Sequence, residues 1–258
     1  MKNLSLLVFL IMTFFQSFAQ FPISWQLGIR LLNLPFGGKI LETADSSVYL
    51  FGNSYTYGSE LLKPYNDQSD FYITKMDRYG CLLWSRPIRG TKSDYFIDVI
   101  EVTGGFLISA YSNSNKGLDK SEDSFGGTDL WLIKVNFQGE ILWDKTYGGA
   151  GEESPGYEIT KGIIKINENS FLLGISSSSY ISGNKSEDCK GMNDYWILNV
   201  DSIGNIKKQK TVGGDLDEYF KNISYSNNII FAIGTSDSPI SNDKTINGIG
   251  AWIVQLDT

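Results

Sequence analysis

Apolar residues come in short bursts along this chain and never settle into a helical interval. Runs such as Val48-Tyr49-Leu50-Phe51, Phe106-Leu107-Ile108, Phe171-Leu172-Leu173 and Ile229-Ile230-Phe231 are bounded by Gly, Ser, Asn or Asp. Short segments rich in β-branched and aromatic residues between such breakers read as strands. The bursts also repeat. Phe71-Tyr72-Ile73-Thr74-Lys75-Met76-Asp77, Leu130-Trp131-Leu132-Ile133-Lys134-Val135-Asn136, Tyr195-Trp196-Ile197-Leu198-Asn199-Val200-Asp201 and Ala251-Trp252-Ile253-Val254-Gln255-Leu256-Asp257 share one pattern. Their spacing is roughly sixty residues, a period that signals a repeat architecture.

Three copies turn through glycine after the closing Asp or Asn, at Gly80, Gly139 and Gly204. An Asx-turn explains that pairing, because the short side chain bonds the backbone just ahead of it. A further strand follows in each: Cys81-Leu82-Leu83-Trp84, Glu140-Ile141-Leu142-Trp143 and Asn205-Ile206-Lys207-Lys208. Next comes a strand anchored by Leu41, Val99, Ile163 or Ile223, and a small residue stands eleven positions later at Gly52, Ala110, Gly174 and Gly234. Four short strands, a to d, per repeat fit one blade of a β-propeller. The expected fold is therefore all-β, a propeller of four blades with four antiparallel strands each. The last copy stops after its strand c, whereas Ile23-Ser24-Trp25-Gln26-Leu27 near the start reads as an unattached strand d. Pairing residues 22–28 beside residues 250–257 would close the ring and remove a free edge. Repeats are expected at about 36–90, 91–149, 150–214 and 215–258, within one domain spanning 20–258.

The order of strand b, strand c ending in Asp, glycine turn, and strand d with tryptophan and a Gly-Gly exit resembles the repeat of PQQ-type (quinoprotein-like) propellers. Representative stretches are Asp194-Tyr195-Trp196-Ile197 and Trp143-Asp144-Lys145-Thr146-Tyr147-Gly148-Gly149. The whole repeat is similar to tandem repeats of secreted Bacteroidetes proteins. The resemblance implies the blade and a binding scaffold. It does not imply the quinone, since the chain has half the blades that a PQQ pocket needs, and no resident cofactor is expected.

Composition narrows the chemistry. Hydrophobic residues make up 41% and charged residues 20% of 258, enough to bury a core and to exclude disorder. There is no histidine, which rules out Ser-His-acid triads, Cys-His dyads and histidine metal sites. The net charge of −7 makes nucleic acid and anionic membranes poor partners. Residues 1–19 read as a signal peptide: Lys2, an apolar run from Leu4 to Phe15, then Ser17 and Ala19 before the cleavage point. The mature chain is thus expected outside the cytoplasm, secreted, periplasmic or on the cell surface, as a monomer without a membrane span. Its two cysteines are too few for a disulfide framework, and the repeat register puts Cys81 and Cys189 on opposite faces and opposite blades, so both should be free thiols.

Candidate chemistry sits in the loops. The b–c loops, roughly 54–69, 112–128, 177–193 and 236–249, are long enough to suggest a function. They carry Tyr55, Tyr57, Tyr65, Phe125 and Tyr180 among polar residues, a setting suited to a glycan or peptide. Lys120-Ser121-Glu122-Asp123 and Lys185-Ser186-Glu187-Asp188 repeat a motif best read as loop-ordering. The d–a loops place Asp94, Glu152, Glu153, Asp217 and Glu218 just past the glycines. Such acids would cap the inner strands, bind a cation such as Ca2+, or act as the acid/base pair of a glycosidase. The leading expectation is a non-enzymatic exported propeller whose long-loop face binds a glycan, peptide or surface protein. The alternatives are a polysaccharide-acting hydrolase and a structural spacer.

Overall fold

A computed structural model describes residues 38–55, 69–154 and 160–257. The expected signal peptide, the closing strand 22–28, Tyr57 and Tyr65 lie outside the described residues. Among those residues the chain is all β, with no helix. The first sheet runs β1 (Gly38–Glu42), β2 (Val48–Tyr55), β3 (Ser69–Met76) and β4 (Leu82–Ile88). The second runs β5 (Asp94–Val102), β6 (Gly105–Ser112), β7 (Asp129–Asn136) and β8 (Ile141–Tyr147). The third holds β9 (Glu153–Ser154), β10 (Ile163–Asn167), β11 (Ser170–Ser177), β12 (Asp194–Asp201) and β13 (Ile206–Val212). The fourth has β14 (Glu218–Ser226), β15 (Ile229–Ser236) and β16 (Gly250–Asp257). Each sheet is an antiparallel meander paired in chain order, with β9 sharing β11 as partner alongside β10.

The Asx-turn reading is borne out in geometry. The Asp77, Asn136 and Asp201 side chains each accept the backbone N–H groups two and four residues on, at 2.8–3.1 Å. Gly80, Gly139 and Gly204 then take φ of 81°, 74° and 85°, a region that favours glycine.

The sheets stack face to face, so their central strands are apolar on both sides. Leu130, Trp131, Leu132 and Ile133 are all buried in succession, unlike a strand with one wet face. One apolar cluster joins the first two sheets through Tyr49, Phe51, Phe71, Phe96 and Phe106. A second runs through the second, third and fourth, with Leu132, Leu173, Trp196, Phe220 and Trp252. The repeated small residue has a packing cause at Gly174: a β-carbon there would stand 2.2 Å from Cζ of Phe220. The fourth sheet differs from the third. Phe231, Ile233 and Ile253 are exposed, while their counterparts Phe171, Leu173 and Ile197 are buried.

Both cysteines are free, Cys81 exposed and Cys189 buried. The Cys189 thiol donates to the Ser177 carbonyl oxygen at 2.8 Å, and burial pushes it up to about 11. A thiol reagent should therefore modify only Cys81 in the native protein and both residues after denaturation without reductant. Modification of Cys189 in the native state, or an intramolecular crosslink in a peptide map, would contradict this packing.

Candidate functional site

The crossings from one sheet to the next are where the candidate acids gather. Asp94, Glu153 and Glu218 stand at the start of β5, β9 and β14 and are fully buried. Each accepts a glycine N–H at the exit of the preceding sheet. Gly149 donates to Glu153 at 2.9 Å and Gly214 to Glu218 at 2.6 Å, and Gly90 donates to Asp94. The second oxygen accepts a serine hydroxyl: Ser177 to Glu153 and Ser236 to Glu218, both 2.6 Å and both from the end of the neighbouring strand, and Ser114, two residues past β6, to Asp94 at 3.0 Å. A carboxylate satisfied in this way ties inner strand, loop and preceding sheet together, out of reach of a ligand in solvent. Two of the five acids do reach the surface. Glu152 is exposed and accepts the Thr128 N–H at 2.8 Å, while half-buried Asp217 accepts from the Asn193 amide at 2.7 Å.

Three residues missed in the sequence complete these crossings. Asp70, Asp129 and Asp194 stand at the start of β3, β7 and β12, are themselves buried, and face Asp94, Glu153 and Glu218 across the junction. The signal was present: each stands two positions before the aromatic of its repeat, and the fourth repeat has Gly250 there. Burial, then the neighbouring acid, pushes the Asp70 carboxyl up to about 7. Burial pushes Asp194 up to about 6.

The long b–c loops are built as one repeated clip. Gly117 and Lys120, Ser182 and Lys185, and Ser241 and Lys244 pair across a tight turn, with Leu118, Gly183 and Asn242 at positive φ in its middle. The lysine of each clip is buried beneath its loop. Lys120 donates to the Ser114 carbonyl at 2.8 Å, Lys185 to the Glu187 carbonyl at 2.6 Å and Lys244 to the Ser238 carbonyl at 2.6 Å. The turn residue before it reaches back to the preceding sheet. Asp119, Asn184 and Asp243 accept the N–H of Arg89, Gly148 and Gly213 and donate their own N–H to the same residues' carbonyls. Glu122 and Glu187 close the clip on strand d by accepting from Thr146 and Thr211, at 2.7 and 2.8 Å. The repeated Lys-Ser-Glu-Asp motif is thus loop scaffolding.

What the clips hold outward is apolar. Phe125 is 44% and Tyr180 66% exposed, and Leu118, Ile181, Met192 and Ile240 are exposed nearby. Tyr55 closes β2. A groove of about 660 Å3 runs between the second and third sheets, lined by Phe125, Glu122, Asp123, Lys145, Asn184 and Asn205. Its counterpart between the first two sheets, about 500 Å3, is lined by Arg86, Asp119 and Glu140 without an aromatic side chain. Among the described residues no group of three or more acids or cysteines is placed to hold a metal ion.

Replacing Glu153 or Glu218 with alanine leaves a glycine N–H and a serine hydroxyl buried without an acceptor. Unfolding titrations should register a loss of about 3 kcal/mol or more in either variant. Glu152→Ala, at the surface, should cost no more than about 1 kcal/mol. Equal effects would remove the distinction between capping and exposed acids.

No family model and no curated protein matches the chain. Among solved structures it is similar to a neuraminidase-like protein from A/bat/Guatemala/164/2009, at 16% identity and a TM-score of 0.36. That likeness covers 81% of this chain and 51% of the other, so the chain spans about half the length of the structure it matches.

Proposed function

We propose that this chain is an exported four-bladed propeller whose long-loop face binds a glycan or a peptide segment of a surface protein, without catalysis. The observation that carries this reading is the repeated loop clip. Each clip buries a lysine and several hydroxyls to fix its own backbone, and holds side chains such as Phe125 and Tyr180 in solvent. Rigid loops presenting aromatic and aliphatic groups lose little entropy on binding. The groove beside Phe125 adds an aromatic face on which a saccharide or peptide would stack, bordered by the Asp123 carboxylate and the Lys145 ammonium. A hydrolase reading has less support. Asp94, Glu153 and Glu218 are buried, and a general acid must touch the oxygen that it protonates.

Ring closure by residues 22–28 is part of this proposal. Trp84 lies against Gly139, and Trp143 against Gly204, at the start of the next sheet's strand d. Ile141 and Ile206 pack in the same two places. At the fourth sheet that place is a pocket of about 310 Å3 between Leu172, Ile197, Ile230 and Leu256, with Lys208 where the tryptophan stood. Ile23 and Trp25 have the spacing of Ile141 and Trp143, and Leu82, the first-sheet counterpart of Ile141, is exposed. A strand 22–28 beside β16 would fill the pocket with Ile23 and bring Trp25 over Leu82.

Two experiments separate the parts. On glycan and peptide arrays the mature chain should bind, and Phe125→Ala or Tyr180→Ala should weaken binding at least about tenfold with an unchanged melting temperature. An array on which the folded chain binds nothing overturns the binding reading. In hydrogen exchange, β16 amides of the closed ring should be protected along both edges, and Ile23→Asp should release those of the outer edge. Rapid exchange of alternate β16 amides in the unsubstituted chain overturns closure.

A further inference from the structure

The junctions after the second and third sheets each bury two carboxyl groups against one another. Their hydrogen bonds are unequal. Both Glu153 oxygens accept donors, from Gly149 and Ser177, and both Glu218 oxygens do the same, from Gly214 and Ser236. The opposing aspartates use one oxygen only. Asp129 Oδ2 accepts the Ser124 hydroxyl at 2.6 Å and the Phe125 N–H at 2.7 Å, and Asp194 Oδ2 accepts the Lys190 N–H at 2.6 Å. Asp129 Oδ1 and Asp194 Oδ1 are fully buried without a protein donor. The Asp129 oxygen is not isolated, because the Glu153 carboxyl stands within hydrogen-bond reach of it. Asp129 Oδ1 and Glu153 Oε2 lie 1.8 and 2.7 Å from the single point that a β-carbon on Gly148 would occupy. Asp194 Oδ1 lies 1.8 Å from the same point at Gly213.

Two acceptors cannot bond without a hydrogen between them. We infer that Asp129 and Glu153 share one proton, carried on Asp129 Oδ1, and that Asp194 is likewise protonated on Oδ1 beside Glu218, so that each of these sheet junctions buries one negative charge instead of two. Burial raises Glu153 as well, but its oxygens are already occupied by the Gly149 and Ser177 donors, which favours the ionised glutamate and leaves the proton on the aspartate oxygen that has none. A metal ion would need more oxygens than two carboxylates supply. Lys120 faces Asp129, Lys185 faces both Glu153 and Asp194, and Lys190 faces Asp194, so each pair carries its one remaining negative charge beside an ammonium group. At the first junction Arg89 replaces the glycine and its guanidinium offsets part of the charge on Asp70. The inference does not depend on whether the loop face binds a ligand. It does reach that face, because the Asp129 oxygen that holds Ser124 and Phe125 belongs to the protonated group.

Burial raises both aspartates, Asp194 to about 6. A carboxyl raised in the folded state gives stability that is present at low pH and lost as pH rises through the folded value. The mature chain should therefore melt at progressively lower temperature between pH ~4 and ~7, from the unfolded aspartate value up past the folded one. Asn at either position mimics the protonated acid: its oxygen keeps the loop contacts and its amide donates to the glutamate. In Asp129→Asn/Asp194→Asn the fall should shrink by at least about half, with a higher melting temperature than the parent at pH ~8. Glu153→Gln should be destabilised across the range, because an amide cannot accept from both Gly149 and Ser177. A parent whose melting temperature is flat or rises over this window, or an unchanged slope in the double variant, overturns the inference. Calcium that raises the parent's melting temperature at pH ~8, but not the double variant's, overturns it in favour of a metal. Should the variants not fold, infrared spectra of the parent decide: a buried protonated-carboxyl C=O band that disappears as pH rises supports the proton, and its absence at low pH refutes it.

Discussion

Among the described residues the chain leaves each sheet at its last strand and enters the next at the opposite edge, and that crossing passes through the buried zone between sheets. Backbone N–H groups there have no water to bond, and an unmet donor costs as much as several good contacts return. The buried carboxylate solves this locally. Glu153 and Glu218 each take one glycine N–H and one serine hydroxyl, joining three chain segments through one side chain. Glycine is required beside them: a β-carbon at Gly148 or Gly213 would overlap the opposing aspartate. Register, glycine pair and acid are one device, copied in the junctions after the second and third sheets, and the first keeps Gly90 and Asp94.

That device determines what the loop face can do. The loop clips begin beside the serines that cap the acids, and in the second and third sheets they end at Asp129 and Asp194, so their geometry is inherited from the junctions. Their lysines point inward to carbonyl groups instead of outward to ligands. Polar capacity in the loops is therefore largely consumed by the fold, and what remains for a partner is apolar or aromatic: Leu118, Phe125, Tyr180, Ile181 and Ile240. Acids that looked available for chemistry serve the architecture, and the surface acids Glu152 and Asp217 are tied to Thr128 and Asn193.

Burying paired carboxyl groups carries a penalty that simple capping does not. Two like charges in a low-dielectric contact repel, and the cheapest remedy is to keep one of them neutral. Asp129 and Asp194, each with one oxygen lacking a protein donor, are the groups placed to do so. The neighbouring lysines offset the remaining charge without reaching the orphaned oxygens.

Strand order, hairpin turns and the four repeats were legible in the amino-acid sequence because they rest on local rules: short β-branched and aromatic runs between breakers, Asx-glycine turns and a small residue at a fixed place in each repeat. Asp77, Asn136 and Asp201 are cases where a two-residue pattern contained the whole explanation. The same locality located the acids Asp94, Glu153 and Glu218 on the crossings, but it could not tell a rim from a cap, since burial depends on what the next sheet brings over them. Nor could it pair Asp129 with Glu153 or Asp194 with Glu218. Those partners come from different repeats and meet only when sheets stack, and a shared proton is a property of their contact rather than of either residue's neighbours in the chain.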